Sequence, residues 1–222
     1  MDKNQDRQNV VQQIHIAAEL YRKNLVGRKF LYVFDGRYIE VIYKRANFRH
    51  LTGVATNLSA RSFYSKAAQH ILTTNQIDFT SVHPYSLCIR KLQHIVQIAS
   101  MASSESFMLE EITTNTQRYK FGTTDLKFSL CMNKETDDSG NEKGECYVVQ
   151  SLRDEDCFSK TKDVYIVTHI FSKPNDEKKY SQLLFEDSSI ACNSVPQAVM
   201  EMLDDDLQKH FSSQEESEID VG

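Results

Sequence analysis

The segment Asn47-Phe48-Arg49-His50-Leu51-Thr52-Gly53 combines side chains suited to acid–base and phosphate chemistry. Histidine has the side-chain pKa closest to neutrality, and arginine can bind a phosphate through two parallel hydrogen bonds. If residues 48–52 are extended, alternation places His50 and Thr52 on one face and Arg49 on the other. A cation for a phosphate must then come from elsewhere. The alternative is a structural histidine that is hydrogen-bonded to a backbone carbonyl.

A second group of candidate side chains, Gln150-Ser151-Leu152-Arg153, follows the apolar run 146–149. If that strand continues, Ser151 and Arg153 share a face, and both residue types can bind or polarise a phosphate. The alternative is a polar exit from the strand into the acidic turn at residues 154–156.

A third group lies in a segment with helical spacing, where Arg90 and His94 are four residues apart and Lys91 is adjacent. These side chains could supply cations to a phosphate, but the solvated face of an amphipathic helix has the same pattern. The other histidines are less persuasive, because they lie within predicted helices or a strand, before a proline, or in the acidic C-terminal segment: His15, His70, His83, His169 and His210.

The sequence offers little for metal or cofactor chemistry. It lacks the H-x-x-x-H and H-E-x-x-H patterns of metal hydrolases, and no paired carboxylates stand out before residue 186. It also lacks the nucleotide-binding patterns G-x-x-x-x-G-K-[ST] and G-x-G-x-x-G and the G-x-S-x-G nucleophile elbow. We therefore expect a site without a metal or a cofactor.

A helix and a hairpin are predicted to precede the first candidate segment. Apolar residues recur at helical spacing over residues 8–24, and Gly27 follows as a stop signal. The pair Asp35-Gly36 separates two short runs of β-branched and aromatic residues, 30–34 and 38–43. Such a pattern is typical of a hairpin with a tight turn, because glycine adopts the positive φ that the turn requires.

Two more helices are predicted next, one capped by Ser59 and one with Pro84 in its first turn. The polar run at residues 134–145 predicts a solvated loop. Helical spacing returns over residues 196–211, which predicts a C-terminal helix. Residues 212–222 are expected to be disordered. Between these helices the pattern predicts strands at residues 107–112, 118–122, 126–132, 146–150, 164–171 and 180–186.

Successive strands joined by polar turns indicate an antiparallel sheet rather than a βαβ alternation. We predict an α+β fold in which N-terminal helices pack on one face of an antiparallel sheet, followed by a C-terminal helix and an acidic tail. The 222 residues, 40% of them hydrophobic, fit one large core. We divide the chain into an α+β domain at residues 1–185 and an acidic helical appendage at residues 186–222.

Composition and charge indicate the compartment and the class of partner. No run reaches the ~18 apolar residues needed to cross a bilayer, so we expect a cytoplasmic protein without a membrane partner. Five cysteines without C-x-x-C spacing are typical of reduced thiols. Ten of the 31 acidic residues lie in residues 186–222, where Lys209 is the only Lys or Arg. The rest of the chain is mildly basic and suits a polyanion such as RNA.

The F-x-H-L-T-G element at residues 48–53 is the most specific motif of the chain. It is accompanied by L-Y-V-F, F-Y-S-K-A, R-K-L and S-L-R at residues 31–34, 63–67, 90–92 and 151–153. Together these segments resemble the fourth of the phage-associated nuclease-like families in the barnase–EndoU–colicin–RelE superfamily. The resemblance covers about residues 15–186 and leaves out the acidic end.

The resemblance implies a small α+β fold, an origin in a phage, prophage or other mobile element, and ribonuclease activity in a bacterial host cell. Our first hypothesis is a metal-independent, toxin-like endoribonuclease that cleaves RNA by attack of the ribose 2′-hydroxyl. The expected catalytic residues are His50, Thr52, Lys91, Ser151 and Arg153. The expected phosphate-binding residues are Arg49 and Arg90.

An alternative hypothesis is a catalytically inactive nuclease-like protein that inhibits a host defence complex. The clustered acids Asp204-Asp205-Asp206 and Glu215-Glu216 motivate this hypothesis, because they offer a negative surface to a protein partner. The partner would then be a host or phage protein instead of RNA.

Overall fold

The computed structural model describes residues 3–101, 104–189 and 195–219. The predicted N-terminal helix is confirmed, although it begins earlier than expected, and Gly27 follows it with a φ of +84°. The described part of the chain contains six α-helices: α1 (Lys3–Asn24), α2 (Phe48–Thr52), α3 (Ala60–Ala68), α4 (Tyr85–Met101), α5 (Gln197–Met200) and α6 (Asp205–Ile219).

Each predicted strand is confirmed, with its ends shifted by a few residues. The strands are β1 (Arg28–Phe34), β2 (Arg37–Ile42), β3 (Phe107–Thr113), β4 (Arg118–Thr124), β5 (Ser129–Thr136), β6 (Glu142–Arg153), β7 (Asp163–Pro174) and β8 (Gln182–Glu186). The predicted tight hairpin joins β1 to β2, with φ values of 49° at Asp35 and 66° at Gly36.

The sheet closes on itself, which corrects the prediction of a simple antiparallel sheet. The strand order is β1-β2-β6-β5-β4-β3-β7-β8, and β1 also pairs with β7, so seven strands form a closed barrel. The barrel is mixed, because β2 and β6 pair in parallel through Val41 with Tyr147 and Ile42 with Val148. Closure depends on the long strand β7, whose first half pairs with β3 and whose second half pairs with β1. The α+β class itself holds.

Both faces of β1 are buried, each by a different group of helices. Phe30, Tyr32 and Phe34 belong to the larger core, which includes buried side chains of α1 to α4. Leu31 and Val33 point the other way and pack with a smaller cluster that includes the C-terminal helices. The other buried members of that cluster are Phe171, Tyr180, Val199, Leu203 and Phe211.

Two predicted irregular segments are more regular than expected. The predicted solvated loop at residues 134–145 is shorter than expected and is limited to residues 137–141, because β5 continues to Thr136 and β6 begins at Glu142. The Asp137 carboxylate accepts the backbone N–H groups of Ser139 and Asn141 and so closes the turn between them. The predicted disorder at residues 212–222 is wrong up to Ile219, where α6 ends, and residues 220–222 lie outside the described part.

None of the helices within the described ranges is long and apolar enough to cross a membrane. The four cysteines that the structure describes, Cys88, Cys131, Cys146 and Cys157, are free, and all except Cys146 are buried. Cys192 lies outside the described residues.

Candidate functional site

The segment predicted to be extended forms a helical turn instead. The 3-10 helix Arg45–Asn47 leads into α2, and Gly53 ends it with a φ of +69°. Helical spacing buries Phe48 and Leu51 in the core and directs His50 to the surface. The strand-like alternation considered for residues 48–52 is therefore wrong, and it does not place His50 and Thr52 on a common face.

Thr52 is buried, and its hydroxyl is used within the backbone. Its Oγ1 donates to the carbonyl oxygen of Arg49 at 2.7 Å and accepts the N–H of Val54 at 3.4 Å. Arg49 is held as well, because its Nη1 donates to the carbonyl oxygen of Leu58 at 2.9 Å. Thr52 thus fixes the end of α2 and does not offer its hydroxyl to a substrate.

The carbonyl oxygen of Gly53 orients a histidine that sequence reasoning missed. It lies 2.8 Å from Nδ1 of His83 and also accepts the thiol of Cys88 at 3.1 Å. Because a carbonyl oxygen can only accept, Nδ1 of His83 carries the proton and Nε2 is left for proton transfer. The only local signal in the sequence was the position of His83 just before Pro84 and α4.

The side chain of Lys91 also passes close to Gly53. A Cβ atom at position 53 would lie 2.8 Å from Cδ of Lys91 and 3.8 Å from Nζ, so only glycine fits without moving this side chain. Burial lowers the pKa of Lys91, and the positive charge of Arg153 lowers it further. Within the described residues the ammonium makes no ion pair with a carboxylate. Lys91 is therefore a half-buried cation without a fixed counter-ion.

His50 lies within the electric field of the same group. Partial desolvation of its ring is the main cause of a lowered pKa, and the positive charges of Arg49, Lys91 and a protonated His83 lower it further. His83 and Lys91 thus lie against Gly53, and His50, three residues before Gly53, is electrostatically coupled to both of them and to Arg49. We call Arg49, His50, His83 and Lys91 the Gly53 site.

Arg153 is electrostatically coupled to this site, because its charge lowers the pKa of Lys91. Strand β6 continues through residues 151–153, beyond the predicted strand at residues 146–150, and Arg153 lies over the ring of Tyr119 at 5.9 Å. Its Nη2 donates to the hydroxyls of Thr114 at 3.2 Å and Thr116 at 3.3 Å. Ser151 is half-buried and pairs with Cys131 across the ladder. No described contact joins Ser151 to His50.

Arg90 differs from its neighbour Lys91 in having a carboxylate partner. Nε of Arg90 donates to Asp154, which also accepts Nε2 of His94 at 2.7 Å. Burial alone would raise the pKa of Asp154, but the hydrogen bonds from His94 and Arg90 outweigh it and lower the pKa. Arg90 is therefore paired outside the Gly53 site, and His94 is held by Asp154 and stacked on Phe128.

A metal site has no obvious ligands in the described ranges, where no group of three or more His, Cys, Asp or Glu side chains could hold an ion. The Gly53 site is instead composed of imidazoles and cations. Such a set can move protons and stabilise a negatively charged phosphate.

Comparison with known proteins identifies the family. A family model described as phage-Barnase-EndoU-ColicinE5/D-RelE like nuclease4 matches residues 13–189. The matched range is well over half of the chain and contains the Gly53 site, Ser151 and Arg153. No curated protein and no solved structure matches the chain. The resemblance carried by the F-x-H-L-T-G element is confirmed, and the chain belongs to the family of phage-Barnase-EndoU-ColicinE5/D-RelE like nucleases that this model describes.

Proposed function

We propose that the protein is an endoribonuclease that cleaves RNA without a metal. The observation that carries the proposal is that the His83 imidazole and the Lys91 ammonium both lie against Gly53, with His50 electrostatically coupled to both. This ammonium has no ion pair within the described residues. Membership in a nuclease-like family supports a nuclease, and the residue types at the site favour RNA, whose 2′-hydroxyl can serve as the nucleophile.

The two histidines divide the proton transfers. His50 acts as the base, because its lowered pKa keeps the ring neutral near pH 7, and it removes the proton from the 2′-hydroxyl. The 2′-oxygen then bonds to phosphorus while the bond from phosphorus to the 5′-oxygen breaks. His83, in its imidazolium form, gives the Nε2 proton to the departing 5′-oxygen. The products are a 2′,3′-cyclic phosphate and a 5′-hydroxyl.

Lys91 stabilises the negative charge that develops on the phosphate oxygens. A partly buried ammonium without a counter-ion is costly, and a bound phosphate offsets that cost. Arg153 adds a second positive charge near Lys91, and we assign Ser151, two residues before Arg153 on β6, to position a phosphate oxygen. Thr52 supports α2 and has no part in the chemistry.

The test is cleavage of tRNA and total cellular RNA by the purified protein in excess chelator, followed by analysis of the RNA ends. We expect 2′,3′-cyclic phosphate ends and a loss of rate of about 10²–10⁴ in His50→Ala and in His83→Ala. Lys91→Met should lose about 10²–10³. His70→Ala is the matched control, because His70 is exposed, lies near Glu19 and does not belong to the Gly53 site.

Absence of cleavage by the native protein, or equal cleavage by His50→Ala, would contradict the proposal. Intact folding and undiminished RNA binding without cleavage would favour the alternative of an inactive nuclease-like protein. In that case deletion of residues 187–222 should change which protein partners bind, because the alternative places the interaction on the acidic segment.

A further inference from the structure

A second concave surface lies away from the Gly53 site. It is a cavity of about 570 Å³ between the end of α1, the 3-10 helix Arg45–Asn47 and α3. Its volume falls within the range of about 300–1,000 Å³ that is usual for small-ligand sites. The lining residues are Arg22, Arg45, Ala46, Arg61, Tyr64, Ser65, Ala68 and Gln69. None of them belongs to the Gly53 site.

The charge of this cavity is one-sided. Arg22, Arg45 and Arg61 line it, and no carboxylate from the described residues does. Within the described part of the chain these three guanidinium groups form no ion pair, whereas Arg7 and Arg37 each pair with a carboxylate. Three guanidinium groups facing one cavity repel each other unless an anion lies between them. Guanidinium groups also match the geometry of phosphate oxygens better than a lysine does.

A buried hydroxyl gives an independent indication of a ligand. Tyr64 lines the cavity and is only 5% exposed, yet its buried hydroxyl has no hydrogen-bond partner among the described residues. Burial raises the pKa of Tyr64, and the charges of Arg45 and Arg22, which line the same cavity, partly lower it. A buried donor without an acceptor costs about 1–3 kcal/mol. A phosphate oxygen in the cavity would provide the acceptor once neighbouring side chains move to expose the hydroxyl.

We propose that the cavity binds a phosphate group, with Arg22, Arg45 and Arg61 pairing with its oxygens and the Tyr64 hydroxyl donating to one of them. The phosphate could belong to a free nucleotide or to the backbone of a nucleic acid, and both present the same chemistry to the arginines. This proposal does not depend on cleavage, since it concerns binding at residues outside the Gly53 site.

The experiment measures binding by the full chain to three probes at low salt. Pyrophosphate and ATP are titrated by calorimetry, and a fluorescein-labelled single-stranded DNA oligonucleotide, which lacks the 2′-hydroxyl, is followed by anisotropy. Arg45→Gln and Arg61→Gln should each weaken the probe that binds by about tenfold or more, because each removes charge-assisted hydrogen bonds. Arg118→Gln is the matched control, since Arg118 is an exposed arginine on β4 outside the cavity.

Tyr64→Phe gives a second test that separates binding from folding. Removing a hydroxyl that has no partner should leave thermal stability unchanged or raise it. The same change should weaken the probe severalfold, because it deletes a donor to the phosphate. Binding of ATP and pyrophosphate identifies a free nucleotide or polyphosphate, whereas binding of the oligonucleotide alone identifies a polymer backbone; both support the proposal.

Two results would overturn the phosphate site. The first is that none of the three probes binds the native protein. The second is that a probe binds but Arg45→Gln and Arg61→Gln weaken it no more than Arg118→Gln does. The outcome is independent of the ribonuclease test, because a protein without cleavage activity can still bind all three probes.

Discussion

Gly53→Ala should damage both stability and activity. The residue at position 53 has a φ of +69°, a conformation that costs a non-glycine residue about 1–2 kcal/mol. The new Cβ would also lie 2.8 Å from Cδ of Lys91, and overpacking of this kind costs about 1–3 kcal/mol. We expect a loss of about 2–5 kcal/mol in the free energy of unfolding.

The loss of activity should arise through Lys91. The contact is with Cδ, in the middle of the side chain, so relieving it moves the ammonium that follows. If Lys91 stabilises the phosphate, Gly53→Ala should lower kcat/KM by about 10²–10³. In a Lys91→Met background the ammonium is already absent, so adding Gly53→Ala should cost little further activity.

The matched control is Gly36→Ala. Gly36 has a φ of +66°, and a Cβ there would meet nothing within 4 Å. The control should lose about 1–2 kcal/mol of stability and no activity. Denaturant unfolding and RNA cleavage are measured for both variants. Full activity of Gly53→Ala, or an equal further loss in the Lys91→Met background, would refute the inference that the position of Lys91 matters.

Two further predictions concern pH and the end of α2. The pKa of His50 lies below its ordinary value of 6.5, so a neutral base persists to lower pH and the acidic limb of kcat/KM should lie below pH 6.5. Arg49→Gln removes one of the charges responsible and should move that limb to higher pH; a limb that does not move contradicts the assignment of His50 as the base. Thr52→Ala should lower unfolding stability by about 1–3 kcal/mol, because its hydroxyl satisfies buried backbone groups, and should leave kcat/KM of folded protein nearly unchanged. A large loss of kcat/KM without a loss of stability would contradict the structural role of Thr52.

Single turns and helix ends were predictable because a few neighbouring residues determine them. The β1–β2 hairpin followed from Asp35-Gly36, and the N-cap of α3 followed from Ser59, whose side chain accepts the N–H of Ser62. Closure of the barrel was not predictable in this way. It depends on pairing between β1 and β7, which are more than a hundred residues apart, and no short-range pattern records that pairing.

The conformation of residues 48–52 was mispredicted because a segment of only five residues is compatible with both the helical and the strand spacing of apolar residues. Phe48 and Leu51 are three apart, so a single helical turn buries both, whereas alternation would have separated them. His83 was missed for a different reason. Its role depends on a hydrogen bond to Gly53, thirty residues earlier, and on the field it shares with His50. Neither is visible in the neighbours of His83 along the chain.

The availability of Lys91 depends on where the nearest carboxylate lies. Adjacent residues on a helix point about 100° apart, so Arg90 and Lys91 face different surroundings on α4. Asp154 accepts Arg90 and His94 and thereby neutralises that side, while Lys91 turns toward Gly53 and has no ion pair within the described residues. Arg90 is therefore a structural cation, whereas Lys91 is left for an anion. This division, rather than the number of positive charges in the segment, makes the Gly53 site suited to a phosphate.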